Sequence, residues 1–272
     1  MTSTSGHYPI ERRSGEIERL RMQGAAMAFD AALMLDRIGV QPGWRCLDLG
    51  CGPGGILDLL SARVGATGRV MGLDADPAML AAARQWAEAQ GLANVELVRG
   101  DAYRTDLPGD AFHLVHIRFL ASTAGQVDDL LREALRLTKP GGVLALQEPD
   151  IETLNCYPPH PAWQRLKNLL SEVFGAVGGD VQLAQRLYSL LRRRGLADVQ
   201  YRPFLVGVTS GDAMADFLPQ TIESLRGTLL SKALVAEAEL DAALAACRRH
   251  LADPDTVSTT YLVAQAWGRK PV

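Results

Sequence analysis

One short stretch in the first fifth of the chain restricts what it can fold into. Residues 47–55 read Leu-Asp-Leu-Gly-Cys-Gly-Pro-Gly-Gly, an apolar run that breaks into glycines before the helix-like segment 56–60. Glycine lets the backbone turn sharply with positive φ and approach a ligand without interference from a Cβ atom. The stretch therefore predicts a strand, a tight corner and a helix, with a nucleotide-type ligand bound at the corner.

Two interpretations of this corner compete. Gly50, Gly52 and Gly55 fit the G-x-G-x-x-G pattern, in which a pyrophosphate binds at a helix N-terminus. Asp48, however, would repel a pyrophosphate, and it favours a ligand that carries an ammonium group. The phosphate loop of nucleotide hydrolases is excluded, because no Gly-Lys-Ser/Thr follows the glycines.

Apolar strands alternate with helical segments downstream of this corner. The predicted strands are residues 45–49, 69–73, 95–99, 113–119 and 143–147, and the helices between them are residues 56–64, 77–90 and 127–137. Continuous apolar strands between helices are typical of a parallel sheet covered on both faces. With two further strands at about 199–208 and 258–267, the predicted fold class is α/β: a doubly wound, seven-stranded, mostly parallel Rossmann-like sheet with an antiparallel C-terminal hairpin and helical caps.

The helical segments outside this alternation suggest the domain organisation. Residues 1–40 are predicted to form an N-terminal helical extension or lid, and residues 41–272 the main domain, with helical inserts at about 151–178 and 212–251. In open α/β sheets ligands bind at the C-terminal ends of the strands. We expect the extension and the inserts to cover that edge.

The composition narrows the function classes. With 47% hydrophobic residues and a net charge of −3, the chain has the composition of an ordinary globular domain and lacks the clustered positive charge of general nucleic-acid binders. No run of about 18 apolar residues and no secretory signal occurs, which predicts a cytoplasmic protein without a membrane span. The 4 cysteines lack metal-ligand spacing, so no metal site is expected.

Acidic residues end the next two predicted strands. Asp74 follows Gly50 by 24 residues, close to the spacing of about 20 at which an acid contacts a ribose in such folds. Asp101 ends the third strand beside a glycine and could accept a hydrogen bond from an adenine amino group. The expected ligand is an adenosine with a cationic tail.

Four motifs in order resemble those of class I S-adenosylmethionine-dependent methyltransferases. They are the glycine corner, Gly72-Leu73-Asp74 followed by Pro77 and Met79-Leu80, Gly100-Asp101-Ala102, and Lys139-Pro140-Gly141-Gly142. More narrowly, Tyr8, the Glu-Ile-Glu-Arg-Leu segment at 16–20 and the Gln-Glu-Pro-Asp segment at 147–150 resemble the ubiquinone/menaquinone-type small-molecule group, methyltransferase type 11/25.

The resemblance implies S-adenosylmethionine as cofactor and S-adenosylhomocysteine as product. Asp48 and the glycine corner would hold the methionine part, Asp74 the ribose and Asp101 the adenine. The complete set of cofactor residues that the resemblance implies is Asp48, Gly50, Cys51, Gly52, Asp74, Ala75, Met79, Gly100, Asp101, Ala102 and Arg118.

The methyl acceptor stays open at this point. Alanine- and leucine-rich caps favour a small, partly apolar molecule, natural-product or quinone-like, methylated at oxygen, nitrogen or carbon. No Asn/Asp-Pro-Pro-Tyr/Phe follows the fourth strand, which disfavours methylation of DNA bases or protein amides. The candidates for a general base are His116 and Glu148, and the candidates for substrate contact are Tyr8, Phe119, Asp150 and Tyr157. The expected assembly is a monomer or a homodimer.

Two alternatives remain beside methyl transfer. A NAD-dependent oxidoreductase could carry the same glycine pattern, although Asp48 argues against it. A methyltransferase fold could also use the cofactor without transferring its methyl group.

Overall fold

The computed structural model describes residues 15–272, in which strands and helices alternate around one central sheet. Its strands are β1 (Arg45–Leu49), β2 (Arg69–Asp74), β3 (Val95–Arg99), β4 (Phe112–Arg118), β5 (Thr138–Asp150), β6 (Asn155–Tyr157), β7 (Ala197–Phe204), β8 (Gly207–Thr209), β9 (Val257–Thr259) and β10 (Leu262–Arg269). Its helices are α1 (Glu16–Ala26), α2 (Ala28–Ile38), α3 (Leu57–Val64), α4 (Pro77–Ala89), α5 (Val127–Leu137), α6 (Pro161–Ala176), α7 (Leu183–Arg193), α8 (Phe217–Ser224), α9 (Arg226–Ser231) and α10 (Glu237–Leu251).

The order of the strands in the main sheet is β3-β2-β1-β4-β5-β10-β7. The first five strands of the chain are mutually parallel, whereas β10 runs antiparallel to both β5 and β7. The order reverses between β1 and β4, and in doubly wound sheets ligands bind beside the strand ends at such a point. The predicted seven-stranded Rossmann-like sheet is confirmed.

Helices cover both faces of this sheet, as the apolar strands require. On one face, buried residues of α2 and α3 such as Met34 and Leu60 pack against β1 and β4. On the other face, Leu130 of α5 and Leu187 of α7 pack against β4 and β5. Strands buried from both sides show little polar alternation, which is why their sequence reads as continuous apolar runs.

A cap with its own hydrophobic core lies beside the main sheet. Its buried residues include Leu166 of α6, Ile222 of α8 and Leu240 of α10. The cap also contains a three-stranded sheet of order β6-β9-β8, which the sequence pattern did not predict. Each of the last two predicted strands is interrupted, so that its outer part joins this small sheet. In the part of the chain that the structure describes, no helix is both long and apolar enough to cross a bilayer.

Candidate active site

The corner after β1 depends on glycine at two positions. Gly50 has φ 83°, and a Cβ atom there would lie 2.9 Å from Leu120 Cδ2. Gly55 has φ 52°, and a Cβ atom there would overlap with Asp48 Oδ2. The left-handed backbone disfavours a side chain at both positions, and at Gly55 the overlap with the Asp48 carboxylate adds a steric reason. The corner thus brings backbone close to whatever occupies the space above it.

Asp48 is almost completely buried beneath this corner. Its Oδ2 accepts a hydrogen bond from the backbone N–H of Ile56 at 3.3 Å, just before α3. Its Oδ1 lies 2.7 Å from Nδ1 of His116 on the neighbouring strand β4. A buried carboxylate needs such partners, because an isolated buried charge costs several kcal/mol or more. Asp48 is therefore held rigidly at the floor of the site.

Two further carboxylates end β2 and follow β3. Asp74 accepts from the N–H of Gly52 at 2.8 Å and from the N–H of Asp76 at 2.9 Å. Burial raises the pKa of Asp74, while these two hydrogen bonds act in the opposite direction. Asp101 accepts from the N–H of Tyr103 at 2.9 Å. The parallel topology thus brings the acids that end β2 and β3 to the same edge as the glycine corner.

A cavity of about 1120 Å³ lies along this edge. A pocket for one drug-sized ligand measures about 300–1,000 Å³, so the space is large enough for a cofactor and a second small molecule. Part of its lining consists of the glycine corner and of Asp74, Met79, Asp101 and Ala102, which lie at or shortly after the ends of β1, β2 and β3. We call this part the nucleotide half.

The other half is mostly apolar and has a few polar groups; we call it the acceptor half. It is lined by Gln23, Phe119, Thr123, Pro149, Ile151, Leu170, Phe174, Thr221 and Tyr261. The Nε2 of Gln23, on α1, donates to the hydroxyl oxygen of Tyr261 at 2.5 Å, and Arg19 Nη1 donates to Gln23 Oε1 at 3.1 Å. The Phe119 and Tyr261 rings meet edge to face with centroids 5.7 Å apart. The acceptor half therefore suits a partly apolar molecule with a polar group.

Arg118, the last residue of β4, also lines the cavity. Its Nη2 donates to the carbonyl oxygen of Gly55 at 3.1 Å, whereas its buried Nη1 has no hydrogen-bond partner among the described residues. Burial lowers the pKa of Arg118, and the nearby Asp48 acts to raise it. A buried guanidinium nitrogen without a partner favours an anionic or carbonyl oxygen in the cavity.

Comparison with known proteins decides the family. A methyltransferase domain model matches residues 46–142. A demethylmenaquinone methyltransferase of Geobacillus kaustophilus is 30% identical over 223 residues, which cover 75% of this chain and 93% of that protein. The chain belongs to the class I S-adenosylmethionine-dependent methyltransferases, in their quinone-type group.

Two further similarities agree with this family. A demethylmenaquinone methyltransferase of Geobacillus stearothermophilus is 30% identical over 191 residues, 65% of this chain and 81% of that protein. The fold matches that of phosphoethanolamine N-methyltransferase 2 of Haemonchus contortus, solved with S-adenosyl-L-methionine, at a TM-score of 0.59 and 16% identity; the match covers 100% of this chain and 61% of that one. The cofactor of the methyltransferase is S-adenosylmethionine, as the motifs predicted, and the NAD alternative is set aside.

Most residues that the sequence assigned to the cofactor line the cavity of the methyltransferase. These are Asp48, Gly50, Cys51, Gly52, Asp74, Ala75, Met79, Asp101, Ala102 and Arg118. Gly100 is not among the lining residues, because it packs on Leu73, whose Cδ1 would lie 2.9 Å from a Cβ atom at this position. Its small size serves the packing between β2 and the end of β3.

The structure does not bring the first candidate base, His116, to the cavity. The side chain is fully buried in β4, and both ring nitrogens are engaged: Nδ1 with Asp48 at 2.7 Å and Nε2 with Nε2 of Gln147 at 2.9 Å. An imidazole whose two nitrogens are occupied by protein cannot reach a substrate proton. The geometry therefore argues against His116 as the base.

Glu148, the second candidate, anchors the loop after β4 and is also absent from the cavity lining. It accepts from the N–H groups of Ala121 and Ser122 at 3.0 and 3.1 Å and from the Ser122 hydroxyl at 2.6 Å. Burial raises the pKa of Glu148 to about 7, against the effect of these hydrogen bonds. The same loop holds Phe119 at φ 58°, an uncommon conformation for a bulky residue, and its ring lines the acceptor half.

The remaining substrate candidates differ in position. Asp150 lies outside the lining, where it accepts from Gln185 Nε2 at 2.8 Å and caps the short 3-10 helix Ile151–Thr153. Tyr157 is exposed in the small sheet and also lies outside the lining. Tyr8 lies outside the described residues. Of the three candidates that the structure describes, Phe119 alone lines the cavity.

Sequence reasoning predicted that the N-terminal extension covers this edge, but it did not single out Gln23 of α1 or Tyr261 before β10. Gln23 and Tyr261 are 238 positions apart, and neither belongs to a recognisable motif. The sequence carries no apolar stripe that would show this, because the buried residues of α1 are polar, with Arg19 and Gln23 one turn apart on that face.

Proposed function

We propose that this methyltransferase moves the methyl group of S-adenosylmethionine to an oxygen, nitrogen or carbon nucleophile of a small, partly apolar molecule, with quinol-like aromatic compounds as the first class to test. The observation that carries the proposal is the acceptor half of the cavity, with aromatic and aliphatic walls and few polar groups. The curated relatives methylate a demethylmenaquinone by name, and such a fused aromatic ring matches these walls in chemistry.

In this proposal the nucleotide half holds the cofactor. Asp48 and the glycine corner face the methionine part, Asp74 the ribose hydroxyls and Asp101 the adenine. Support comes from the position of all three acids along one edge of the cavity. Replacement of Asp74 by alanine is expected to weaken binding of S-adenosylhomocysteine by about 1.5–3 kcal/mol for each charge-assisted hydrogen bond lost, measured by calorimetry. An unchanged dissociation constant would remove Asp74 from the site.

Positioning supplies most of the proposed rate enhancement. The sulfonium leaves as a neutral thioether, so no acid is needed at the leaving group, and alignment of nucleophile, methyl and sulfur can contribute about 7–11 kcal/mol. Phe119, Phe174 and Tyr261 would orient a ring in the acceptor half. The helix α1 would act as a lid, since Arg19, Gln23 and Gly24 line the cavity from above the strand ends.

Incubation with labelled S-adenosylmethionine and a panel of acceptors tests the proposal. The panel contains reduced 1,4-naphthoquinone, a simple phenol, phosphoethanolamine and an oligonucleotide. We expect methyl transfer to the naphthoquinol and the phenol, detected as labelled product by mass spectrometry. Transfer only to phosphoethanolamine or the oligonucleotide would contradict the acceptor class.

A further inference from the structure

A row of buried polar side chains crosses the main sheet and ends at Asp48. It begins at Arg202 on β7 and continues through Gln265 on β10, Gln147 on β5 and His116 on β4. These strands are neighbours in the order β1-β4-β5-β10-β7, so the row spans five adjacent strands. Gln265 lies opposite both Gln147 and Arg202 in register, and His116 lies opposite Asp48.

The direction of every hydrogen bond in this row is fixed by its first member. Arginine has only donors, so Arg202 Nη1 donates to Gln265 Oε1 at 3.0 Å. The amide nitrogen of Gln265 must then face Gln147, and Nε2 donates to Gln147 Oε1 at 2.9 Å. Gln147 Nε2 in turn donates to His116 Nε2.

The consequence for His116 is a defined tautomer. Because Nε2 accepts from Gln147, the ring proton must lie on Nδ1, from which it is donated to Asp48 Oδ1 at 2.7 Å. A carboxylate only accepts, so Asp48 is the natural end of a row in which every member donates in the same direction. Hydrogen bonds aligned in this way polarise and strengthen one another.

The far end of the row is also fixed. Arg202 forms an ion pair with Asp30 of α2 at 2.5 Å, and Gln265 Nε2 donates in addition to the backbone carbonyl of Asp30 at 2.9 Å. Gln147, Gln265 and His116 are fully buried, and none of the three lines the cavity. Full burial of three polar side chains costs free energy that a purely apolar packing would avoid, and each is satisfied here by a partner in the row.

We propose that Gln147 and Gln265 are positioning residues for cofactor binding, which act through His116 to hold Asp48 as an acceptor toward the cationic methionine end of S-adenosylmethionine. The inference rests on the proposed contact between Asp48 and the cofactor. The row donates to Oδ1, Ile56 donates to Oδ2, and the carboxylate is thereby fixed in the orientation in which it lines the cavity. Loss of a donor in the row frees the imidazole to change tautomer and withdraws the hydrogen bond from Asp48.

The first test measures the tautomer directly. Nitrogen NMR of protein labelled at its 5 histidines, recorded near pH 8 where histidine is ordinarily neutral, should show His116 with its proton on Nδ1, and His116→Asn identifies the signal. A proton on Nε2 in the wild-type protein would overturn the proposal. The tautomer is measured on the wild-type protein, and only the identification of the signal uses His116→Asn.

The second test measures S-adenosylhomocysteine binding by calorimetry. We expect Gln147→Leu to weaken binding about tenfold, because the hydrogen bond to His116 is lost. Gln265→Leu should weaken binding about threefold, because only the hydrogen bond that supports Gln147 is lost. The tautomer signal of His116 should change in both variants. Gln200→Leu, on the exposed part of β7, is the matched control and should leave both readouts unchanged.

The outcomes separate the two levels of the argument. If Asp48→Asn leaves binding unchanged, the proposed contact between Asp48 and the cofactor is wrong, and the inference falls with it. If Asp48→Asn weakens binding while Gln147→Leu and Gln265→Leu bind like the wild-type protein, the cofactor contact stands and the positioning role is refuted.

Discussion

At the scale of single residues, space rather than charge sets the first requirement at the corner after β1. Gly55 illustrates it: the position needs φ 52°, and a Cβ atom would overlap with Asp48 Oδ2. Such an overlap cannot be accommodated without displacing the carboxylate. The glycine therefore protects the orientation of Asp48 as much as it shapes the loop.

Replacement of Gly55 by alanine should weaken S-adenosylhomocysteine binding by at least about tenfold, because Asp48 must move off Ile56 and His116. Gly65→Ala is the matched control, since Gly65 also has positive φ but a Cβ atom there would meet no other atom within 4 Å. Calorimetry on both variants separates backbone strain from the clash. Equal affinities for the two variants would contradict the prediction.

Glu148 should make stability depend on pH. Its pKa in the folded protein is raised to about 7, so between about 4.5 and 7 the folded state keeps a proton that the unfolded chain has lost. The free energy of unfolding should then fall as pH rises through this window, by up to about 3 kcal/mol from this group.

Urea denaturation between pH 5 and pH 8 measures this effect. Glu148→Gln should lose less stability over that range than the wild-type protein does. Its absolute stability should be lower, because the hydrogen bonds that Ser122 donates to residue 148 are weakened. Glu88→Gln, at an exposed position of α4, serves as control and should show the wild-type slope. A wild-type slope in Glu148→Gln would refute this assignment of the pH dependence.

At the scale of elements, α1 is joined to three separate parts of the molecule. Arg21 Nη2 donates to the carbonyl oxygen of Ala82 in α4 at 3.1 Å, Gln23 contacts Tyr261, and Arg19 contacts Thr221 of α8. These contacts are few and polar, and the buried residues of α1 are Glu16, Arg19 and Gln23. A helix that is held over a cavity by a few hydrogen bonds is suited to open and close.

Hydrogen exchange should therefore respond in α1 when the cavity is filled. We expect bound S-adenosylhomocysteine to slow amide exchange in α1, whereas α10, whose Leu240 and Leu244 lie in the cap core, should change little. The reason is that closure removes the opening through which α1 amides exchange. Equal protection of α1 with and without the ligand would argue against a lid.

At the scale of the whole molecule, residues of the main sheet, the cap and α1 all line one cavity, so occupation of the cavity by ligand couples to the stability of the folded chain. A ligand that binds only the folded state, at about 100 times its dissociation constant, stabilises by about 2.7 kcal/mol. For a chain of this size that corresponds to a rise in Tm of roughly 5–10 °C. Scanning calorimetry should show this rise with S-adenosylhomocysteine and none with NAD at the same concentration.

The sequence predicts well several elements that have a clear local hydrophobic pattern. Strands β1 and β3 and helix α5 have the predicted bounds, because each is a short, mainly apolar segment or an amphipathic repeat that ends at a recognisable boundary. The strand β5 is longer than predicted, since its first residues are Thr138 to Gly142, which carry no strand pattern. The three-residue strands of the small sheet are too short for any periodicity to appear.

Residues of the candidate site also differ in how well the sequence predicts them. The candidate cofactor residues lie in local motifs, so the sequence indicated Asp74 through its distance from Gly50 and Asp101 through its place at the end of the third strand, and both line the cavity. Residues such as Gln147, Gln265 and Tyr261 owe their role to partners far along the chain, and a buried glutamine looks in the sequence like any surface glutamine. His116 was chosen as a base because an isolated histidine gives no indication that both of its nitrogens are already engaged.

The position of β10 between β5 and β7 has a consequence for biosynthesis. A chain emerging from the ribosome completes the glycine corner long before residues 262–269 are made, and β7 has no neighbour in the main sheet until they arrive. Domains generally begin to fold from the N-terminal side during synthesis, so an early intermediate would hold β1 to β5 with an open edge along β5. The support that Gln265 gives to Gln147 would then be acquired late, when β10 pairs with β5 and closes that edge.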